Sequence, residues 1–556
     1  MNYKGPPLNI NTAYDSKMLY RDFFAGLTIF VMLVPQGMAY AMLAGLPPVM
    51  GLYASTIPLI MYAFFATSKH VSVGPVAISS LLVFSGVAAY AEPGTSEYIS
   101  LVILLALMVG VIQLLLGLFK TGFIVKFIST AVMSGYTSAA AIVIALSQLN
   151  HLLGMNLGNH LQVQHLFFEA AGKLNEIHMT TLTLGVLSIT ALILLKNAFP
   201  RFPAPLFIVL LSTLAVYLFG MNERGVEIVG DVPEGLPSFT LPDVSFVDVQ
   251  MLFAAALTIA LIGFMETLAI GKTIAEEEKY TVDPNKELKA LGISNMAGSL
   301  FQAYPVSGSF SRSAVNHQAG AVTQLSTVFT GVFVIITLLF FTSSFYYLPN
   351  AVLAAIIMVA VYKLIDIRSL RHFFAVKPID GWVWILTFVV TLIIGINLGI
   401  IFGVIFSLLL LLKRSANPNI VELGYLEKDE IFRDITRFPE AEKLEDTVII
   451  RIDAALHFAN TGFIDKKLAA LLTDRGMIQW VIIDMSGVND IDTSSVDFLK
   501  ELVDQYKKEH DIQILFVNMK GPVRDTVKKS QGKEGRLEKV SYLNYDRLLK
   551  DREIKR

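Results

Sequence analysis

The sequence contains no cysteine. That excludes disulfides, thiolate-bound metals and a cysteine nucleophile, and it leaves cysteine usage silent on redox compartment. Charge is the next shortage. Charged residues make up 16% of the 556, apolar residues 54%, and the mean hydropathy is +0.59. Soluble globular chains carry about 25% charged and about 45–50% apolar residues. Neither a disordered chain nor a single soluble domain fits this composition. A formal net charge of −2 leaves no electrostatic footprint for nucleic acid. The nine His residues show no metal-ligand spacing, and no nucleotide-cradling loop or nucleophile–base pair appears. No metal, no cofactor and no enzymatic activity is expected.

The shortage of charge is uneven. Residues 1–414 hold 21 Lys+Arg and 20 Asp+Glu, 41 of 414 or about 10%. Residues 415–556 hold 23 and 26, 49 of 142 or about 35%. The division predicts an N-terminal segment (1–20), a membrane domain (21–414), a linker (415–430) and a soluble domain (431–556).

A spanning helix needs roughly 20 apolar residues. Eleven runs qualify, from Phe23–Leu43 to Leu398–Leu412, and segments 70–90, 284–300 and 304–320 are too short or too broken for hydropathy alone. The total is about fourteen spans. With the N-terminus inside and the spans alternating, 18 Lys/Arg fall in inside loops, two (Lys173 and Arg224) fall outside, and Arg312 is left within a span. An even number of crossings puts both termini in the cytoplasm of a multi-pass protein of the cell membrane.

Two of the broken segments resemble each other. Ser72-Val73-Gly74-Pro75-Val76-Ala77-Ile78-Ser79-Ser80 and Tyr304-Pro305-Val306-Ser307-Gly308-Ser309-Phe310-Ser311-Arg312-Ser313 each read as a short extended piece, then Gly or Pro, then small and hydroxyl residues opening a helix. Seven spans separate them, so the copies are inverted in the membrane. Inverted repeats with interrupted helices characterise transporters, and non-helical backbone at membrane depth persists only where protein buries it or a cavity solvates it. Two half-helix N-termini meeting at the midplane gather free N–H groups and partial positive charge, the makings of an anion site. The alternative is a pair of Pro/Gly kinks in ordinary packed helices.

Few side chains here carry chemistry. Glu266 is the only carboxylate in its span. It either takes a proton or serves as a fixed ion-pair partner, because an isolated charge at that depth costs ~2.5–3.5 kcal/mol. Arg312, one turn into the second half-helix, either adds positive field for an anion or neutralises Glu266. Gln36 and Tyr40 share a helix face just after Pro35 and offer neutral donors to a small polar ligand, or interhelical hydrogen bonds. Ser309 and Ser311 bring hydroxyls to the half-helix start, where Ser309 can also act as an N-cap.

These residues resemble a known family. Val34-Pro35-Gln36-Gly37-Met38-Ala39-Tyr40-Ala41, the Gly45-Leu46-Pro47-Pro48 turn with Gly51-Leu52-Tyr53, Val73-Gly74-Pro75 and Ser309-Phe310-Ser311-Arg312-Ser313 look like the sulfate permease (SulP) family of anion transporters. Strands read at Val448–Asp453, Trp480–Asp484 and Gln513–Asn518, a helix at Thr493–His510, and Asp484-Met485-Ser486-Gly487-Val488 before Ile491-Asp492-Thr493-Ser494-Ser495 resemble a STAS domain. The resemblance implies an all-α polytopic membrane protein of seven plus seven inverted spans, divided into core and gate, with two half-helices at the midplane and a cytoplasmic α/β STAS domain. It implies an anion site lined by Gln36, Tyr40, Ala77 and Ser309, Phe310 and Ser311 with Arg312, proton coupling through Glu266, and an elevator movement of core against gate. It implies a homodimer in the lipid bilayer, taking sulfate, chloride, bicarbonate or dicarboxylates, with proton as co-substrate. Thr493 matches the position phosphorylated in antagonist proteins of the STAS group, although Ser495 stands where that pattern has glycine; a plain N-cap role for Thr493 is the alternative. The STAS domain is a candidate docking site for a cytoplasmic protein.

From these residues the first expectation is proton-coupled sulfate uptake, then bicarbonate or C4-dicarboxylate symport. An anion exchanger or channel, a nucleobase permease and a membrane-anchored signalling scaffold are the rivals.

Overall fold

Asp15 opens the first long helix by accepting the Met18 N–H at 2.8 Å. The computed structural model describes residues 14–123, 128–155, 163–199, 202–473, 477–531 and 536–554. Lys4, Lys126 and Arg201, three of the 18 Lys/Arg expected in inside loops, and the start of the expected span Ile124–Ser147 lie outside the described residues. The chain divides into two units, Met1–Ser407 and Leu408–Arg556.

In the first unit α1 (Ser16–Leu43), α2 (Val49–Tyr53) and α3 (Ile57–Phe65) lead to a two-residue strand, β1 (Val73–Gly74). Then come α4 (Ala77–Val87), α5 (Ser96–Leu118), α6 (Thr130–Ser147), α7 (Met179–Ala198) and α8 (Ala204–Phe219). The second half repeats the order: α9 (Phe246–Glu277), α10 (Pro284–Ser299), β2 (Ser307–Gly308), a short α11 (Phe310–Gln318), then α12 (Leu325–Phe340), α13 (Asn350–Val361), α14 (Pro378–Ile393) and α15 (Ile396–Ala416), which continues past Ser407 into the second unit. Among the described residues seven helices are long and apolar enough to cross a membrane, and five further apolar stretches are shorter.

The halves interlock. β1 and β2 pair antiparallel, Val73 opposite Gly308 and Gly74 opposite Ser307, as inverted copies require. α1 packs on α12, α10 on both α3 and α5, and α9 on α5, while α6 packs on α14 and α7 on α8 and α13. The first set is a core and the second a gate. At the α5–α10 crossing a Cβ on Gly110 would sit 2.6 Å from the Met296 nitrogen, and one on Gly292 2.6 Å from the Leu114 nitrogen. Only glycine permits backbones this close, which is how helices gain contact where lipid supplies no hydrophobic drive.

Two buried carboxylates are fully engaged. Glu287 on α10 accepts the Thr67 and Ser68 N–H groups at 2.7 and 2.9 Å, together with the Tyr62 and Thr67 hydroxyls. Asp22 on α1 accepts the Val322 and Thr323 N–H groups at 2.6 and 3.1 Å, the Thr323 hydroxyl and the Tyr14 hydroxyl. Each ties a loop of one half to a helix of the other.

In the second unit six strands form one sheet in the order β4-β3-β5-β6-β7-β8. They are β3 (Ile420–Leu426), β4 (Ile431–Asp434), β5 (Thr447–Ile452), β6 (Trp480–Asp484), β7 (Gln513–Val517) and β8 (Ser541–Tyr542). β5 to β8 run parallel, with α16 (Thr461–Thr473) between β5 and β6 and α17 (Thr493–His510) between β6 and β7. Val448, Ile450, Val481, Ile483, Ile514 and Phe516 fill one face of the sheet, and Ile449, Ile482, Leu515 and Val517 pack with Leu548 and Leu549 on the other. That two-sided burial explains the unbroken apolar strands. β3 lies inside the stretch expected as a linker and pairs with β5 from Ile420 to Leu423. The α17 cap also corrects an expectation. Asp492, not Thr493, is the N-cap: its carboxylate accepts the Ser495 N–H at 2.8 Å and the Phe458 N–H at 2.9 Å. Thr493 is the first helical residue and is exposed, and the Ser495 hydroxyl is buried without a partner.

Candidate functional site

The two short strands deliver the chain into two helix starts. β1 ends at Gly74, whose φ is +153°, and a Cβ there would lie 3.2 Å from Nη2 of Arg312. Val76 is extended and α4 begins at Ala77 without a side-chain cap. On the other side the Ser309 N–H donates to the Ser72 carbonyl at 3.0 Å, and the Ser309 hydroxyl caps α11 by accepting the Arg312 N–H. The first N–H groups of any helix lack intrahelical partners. Among the described residues the N–H groups of Ala77, Ile78, Phe310 and Ser311 find no other.

The second start is held firmly. Asn295 on α10 accepts the Val306 N–H at 2.8 Å, donates to the Val306 carbonyl at 3.2 Å and donates to Oε1 of Gln113 at 3.0 Å. The Gly308 N–H donates to the Thr267 hydroxyl oxygen at 2.8 Å, one residue along α9 from Glu266. Ser79 of α4 and Ser307 of β2 join their hydroxyls at 3.0 Å, bridging the repeats.

A cavity of about 1240 Å³ opens beside these starts. Gln36 and Tyr40 of α1, Ala77 of α4, Glu266 of α9 and Ser309, Phe310 and Ser311 all line it. Most of its wall is apolar, so the polar groups are few and converge, as in small-ligand sites generally. Arg312 stands apart. Its side chain is fully buried behind the cavity wall and donates from Nη1 to the Pro75 carbonyl at 2.9 Å, with Nε and Nη2 unpartnered. Its guanidinium sits against the Gly74–Pro75 backbone that leads into α4. Among the described residues no ion pair joins it to Glu266, whose Oε2 is buried and unpartnered with Ser307 as its polar neighbour. The fixed ion pair that the sequence left open is therefore absent from this conformation.

The cavity reaches a mouth at the end of the bundle where α1 starts. Its wall takes in the early turns of α1 (Phe24, Thr28) and the start of α8 (Ala204), with the last residues of α7 (Lys196), α11 (Gln318) and α13 (Val361). These all lie at the same end of the bundle as the start of α1. Lys196 and Lys363, both among the 18 Lys/Arg expected in inside loops, line this mouth. Gln113 stands out in the sequence as an amide within the apolar length of α5, whereas Asn295 lies on a helix that also carries Lys286, Glu287, Lys289 and Ser294 and gives no such signal.

The Sulfate permease family model matches residues 19–387, and the STAS domain model matches 438–534. "Sulfate transporter 4.1, chloroplastic" of Arabidopsis thaliana is 38% identical over 539 residues, 94% of this chain and 78% of that protein. "High affinity sulfate transporter 1" of Stylosanthes hamata is 33% identical over 547 residues, 94% of this chain and 82% of that protein. The murine Solute Carrier 26 family member A9 anion transporter, solved in the inward-facing state, superposes with a TM-score of 0.91 at 26% identity, covering 99% of this chain and 94% of that one. The transmembrane domain of a cyanobacterium bicarbonate transporter, BicA, shares the fold with a TM-score of 0.60 at 21% identity, covering 71% of this chain and 98% of its own. The chain belongs to the sulfate permease family, a multi-pass membrane anion transporter with a STAS domain.

Proposed function

We propose that the protein takes up sulfate by secondary active transport, coupled to protons. The observation that carries this reading is the convergence of two unsatisfied half-helix starts and one unpaired carboxylate on a single cavity. The anion sits against the N–H groups of Ala77, Ile78, Phe310 and Ser311, with Gln36 and Tyr40 donating from α1 and the Ser309 and Ser311 hydroxyls beside them. Arg312 adds positive field from behind the helix starts without touching the anion. Glu266 accepts the proton: its Oε2 is buried without a hydrogen-bond partner and no cation pairs with it among the described residues, and the loss of one negative charge lets a dianion settle nearby. The core then moves as an elevator past the gate, carrying both. Relatives at 38% and 33% identity bear the name of sulfate transporters, which favours sulfate over bicarbonate and C4-dicarboxylates.

The Lys/Arg bias supports a cell-membrane protein with both termini on the cytoplasmic side, and with them a cavity open inward. The working form is a homodimer. Exposed at a helix N-terminus, Thr493 can add a phosphate where the helix dipole favours it, and is the regulatory phosphosite of the STAS domain, which docks a cytoplasmic partner. In liposomes Glu266→Gln abolishes the effect of a proton gradient on uptake while sulfate still binds. Unchanged proton dependence in that variant would refute the coupling role.

A further inference from the structure

We propose that Lys196 and Lys363 form a second anion site at the cavity mouth, on the wall facing the half-helices, and that it takes a doubly charged oxyanion on its way between water and the inner site. This deepens the transport reading above and rests on it.

Lys196 stands three residues from the start of the loop after α7, and Lys363 two residues beyond the end of α13. α7 and α13 pack together, and that packing brings both lysines to one stretch of the cavity wall. Both line the same cavity as the helix starts. Apart from Glu266 they are the only charged residues in its described wall. Among the described residues neither has a carboxylate within 4.0 Å.

Two ammonium groups on one wall repel, and among the described residues no carboxylate within 4.0 Å neutralises them. A single halide offers one charge to share between them. A tetrahedral dianion offers two charges and several oxygens, so it can face both lysines while its other oxygens stay in water. Lysine suits such a stop: its ammonium is a hydrated point charge on a flexible stem, and it captures and releases without the fixed fork of arginine. Both side chains are exposed, so screening keeps the site weak and salt-sensitive. That is a property a transit site needs. The same chemistry, an oxyanion bearing about two charges, could be supplied by a phosphomonoester lipid headgroup, and the test separates the two sources.

The full chain, purified in lipid-free detergent, is dialysed against radiolabelled sulfate at low salt. The wild type is expected to hold two sulfates per chain, the double variant Lys196→Gln with Lys363→Gln one, and the Lys196→Arg with Lys363→Arg variant two again. From the mouth side in liposomes the glutamine variant needs about tenfold more sulfate for half-maximal transport, the order expected for two exposed charge contacts, while chloride is unaffected. One sulfate in both wild type and glutamine variant overturns this site and leaves the transport reading intact. No sulfate on either protein overturns both. If phosphatidic acid in nanodiscs displaces the second sulfate, and the glutamine variant transports like the wild type, the pair belongs to a lipid and the transit role is wrong.

Discussion

Replacing Asn295 with alanine tests how the second helix start is held. The substitution removes three hydrogen bonds and leaves the Val306 N–H, the Val306 carbonyl and Oε1 of Gln113 without those partners. Asn295, Val306 and Gln113 are all buried, at 1%, 2% and 0% exposure, so water cannot replace what is lost. Hydrogen bonds between helices in membranes average about 0.6 kcal/mol and reach about 1.7; three give about 2–5 kcal/mol, toward the upper end because buried groups are left unmade. Asn295→Ala should therefore lower the thermal midpoint of the solubilised protein by several degrees at a fixed scan rate. Released from α10, β2 no longer aims α11 at the cavity, and half-saturating sulfate should rise at least tenfold. Ser294→Ala is the control, since that hydroxyl donates only to Ala290 of its own helix, at 2.7 Å. If Asn295→Ala melts with the control and keeps the wild-type sulfate dependence, the amide does not position the half-helix.

Three further outcomes are expected. Gly110→Val drives a side chain into the Met296 backbone and should abolish monodisperse protein on size exclusion, whereas a valine at Gly172, which meets nothing within 4 Å, should not. Asp492→Ala removes the cap of α17 and should cost about 1 kcal/mol, seen as faster hydrogen exchange at the Ser495 and Phe458 amides of the full chain. The Thr436 hydroxyl and backbone hold the Asp434 carboxyl below the usual aspartate range. Its contribution is present above the unfolded value, near 3.9, and disappears as pH falls through the lower folded value. Hydrogen exchange along β3 and β4 should accelerate in that acid window, and Asp434→Asn should remove this part of the pH dependence.

Much of this fold is legible in the residues because lipid is an unforgiving solvent. Runs such as Ile99–Leu118 and Met251–Ile270 have no other place to go. The two strands were legible for the opposite reason: Val73-Gly74-Pro75 and Pro305-Val306-Ser307-Gly308 interrupt apolar sequence with residues no packed helix needs. α10 was hidden, since Glu287, Ser294 and Asn295 are satisfied inside the protein and hydropathy assumes that polar residues seek water. Arg312 was legible as a charge in a span but not in direction, because its rotamer depends on the Pro75 carbonyl brought over from the other repeat. Lys196 and Lys363 lie far apart in the chain and meet only through the packing of α7 on α13. Asp492 displaced Thr493 as cap because its carboxylate also holds the Phe458 N–H across the domain, a contact with no local trace.

The central claim is sulfate transport driven by protons, and purified protein in liposomes tests it most directly. Radiolabelled sulfate uptake is followed with and without an inward proton gradient. Sulfate should accumulate above its equilibrium level while the gradient lasts and leak back when a protonophore collapses it. Sulfate entry that ignores the gradient, or that requires a counter-anion inside, would contradict the claim and make the protein an exchanger or a channel.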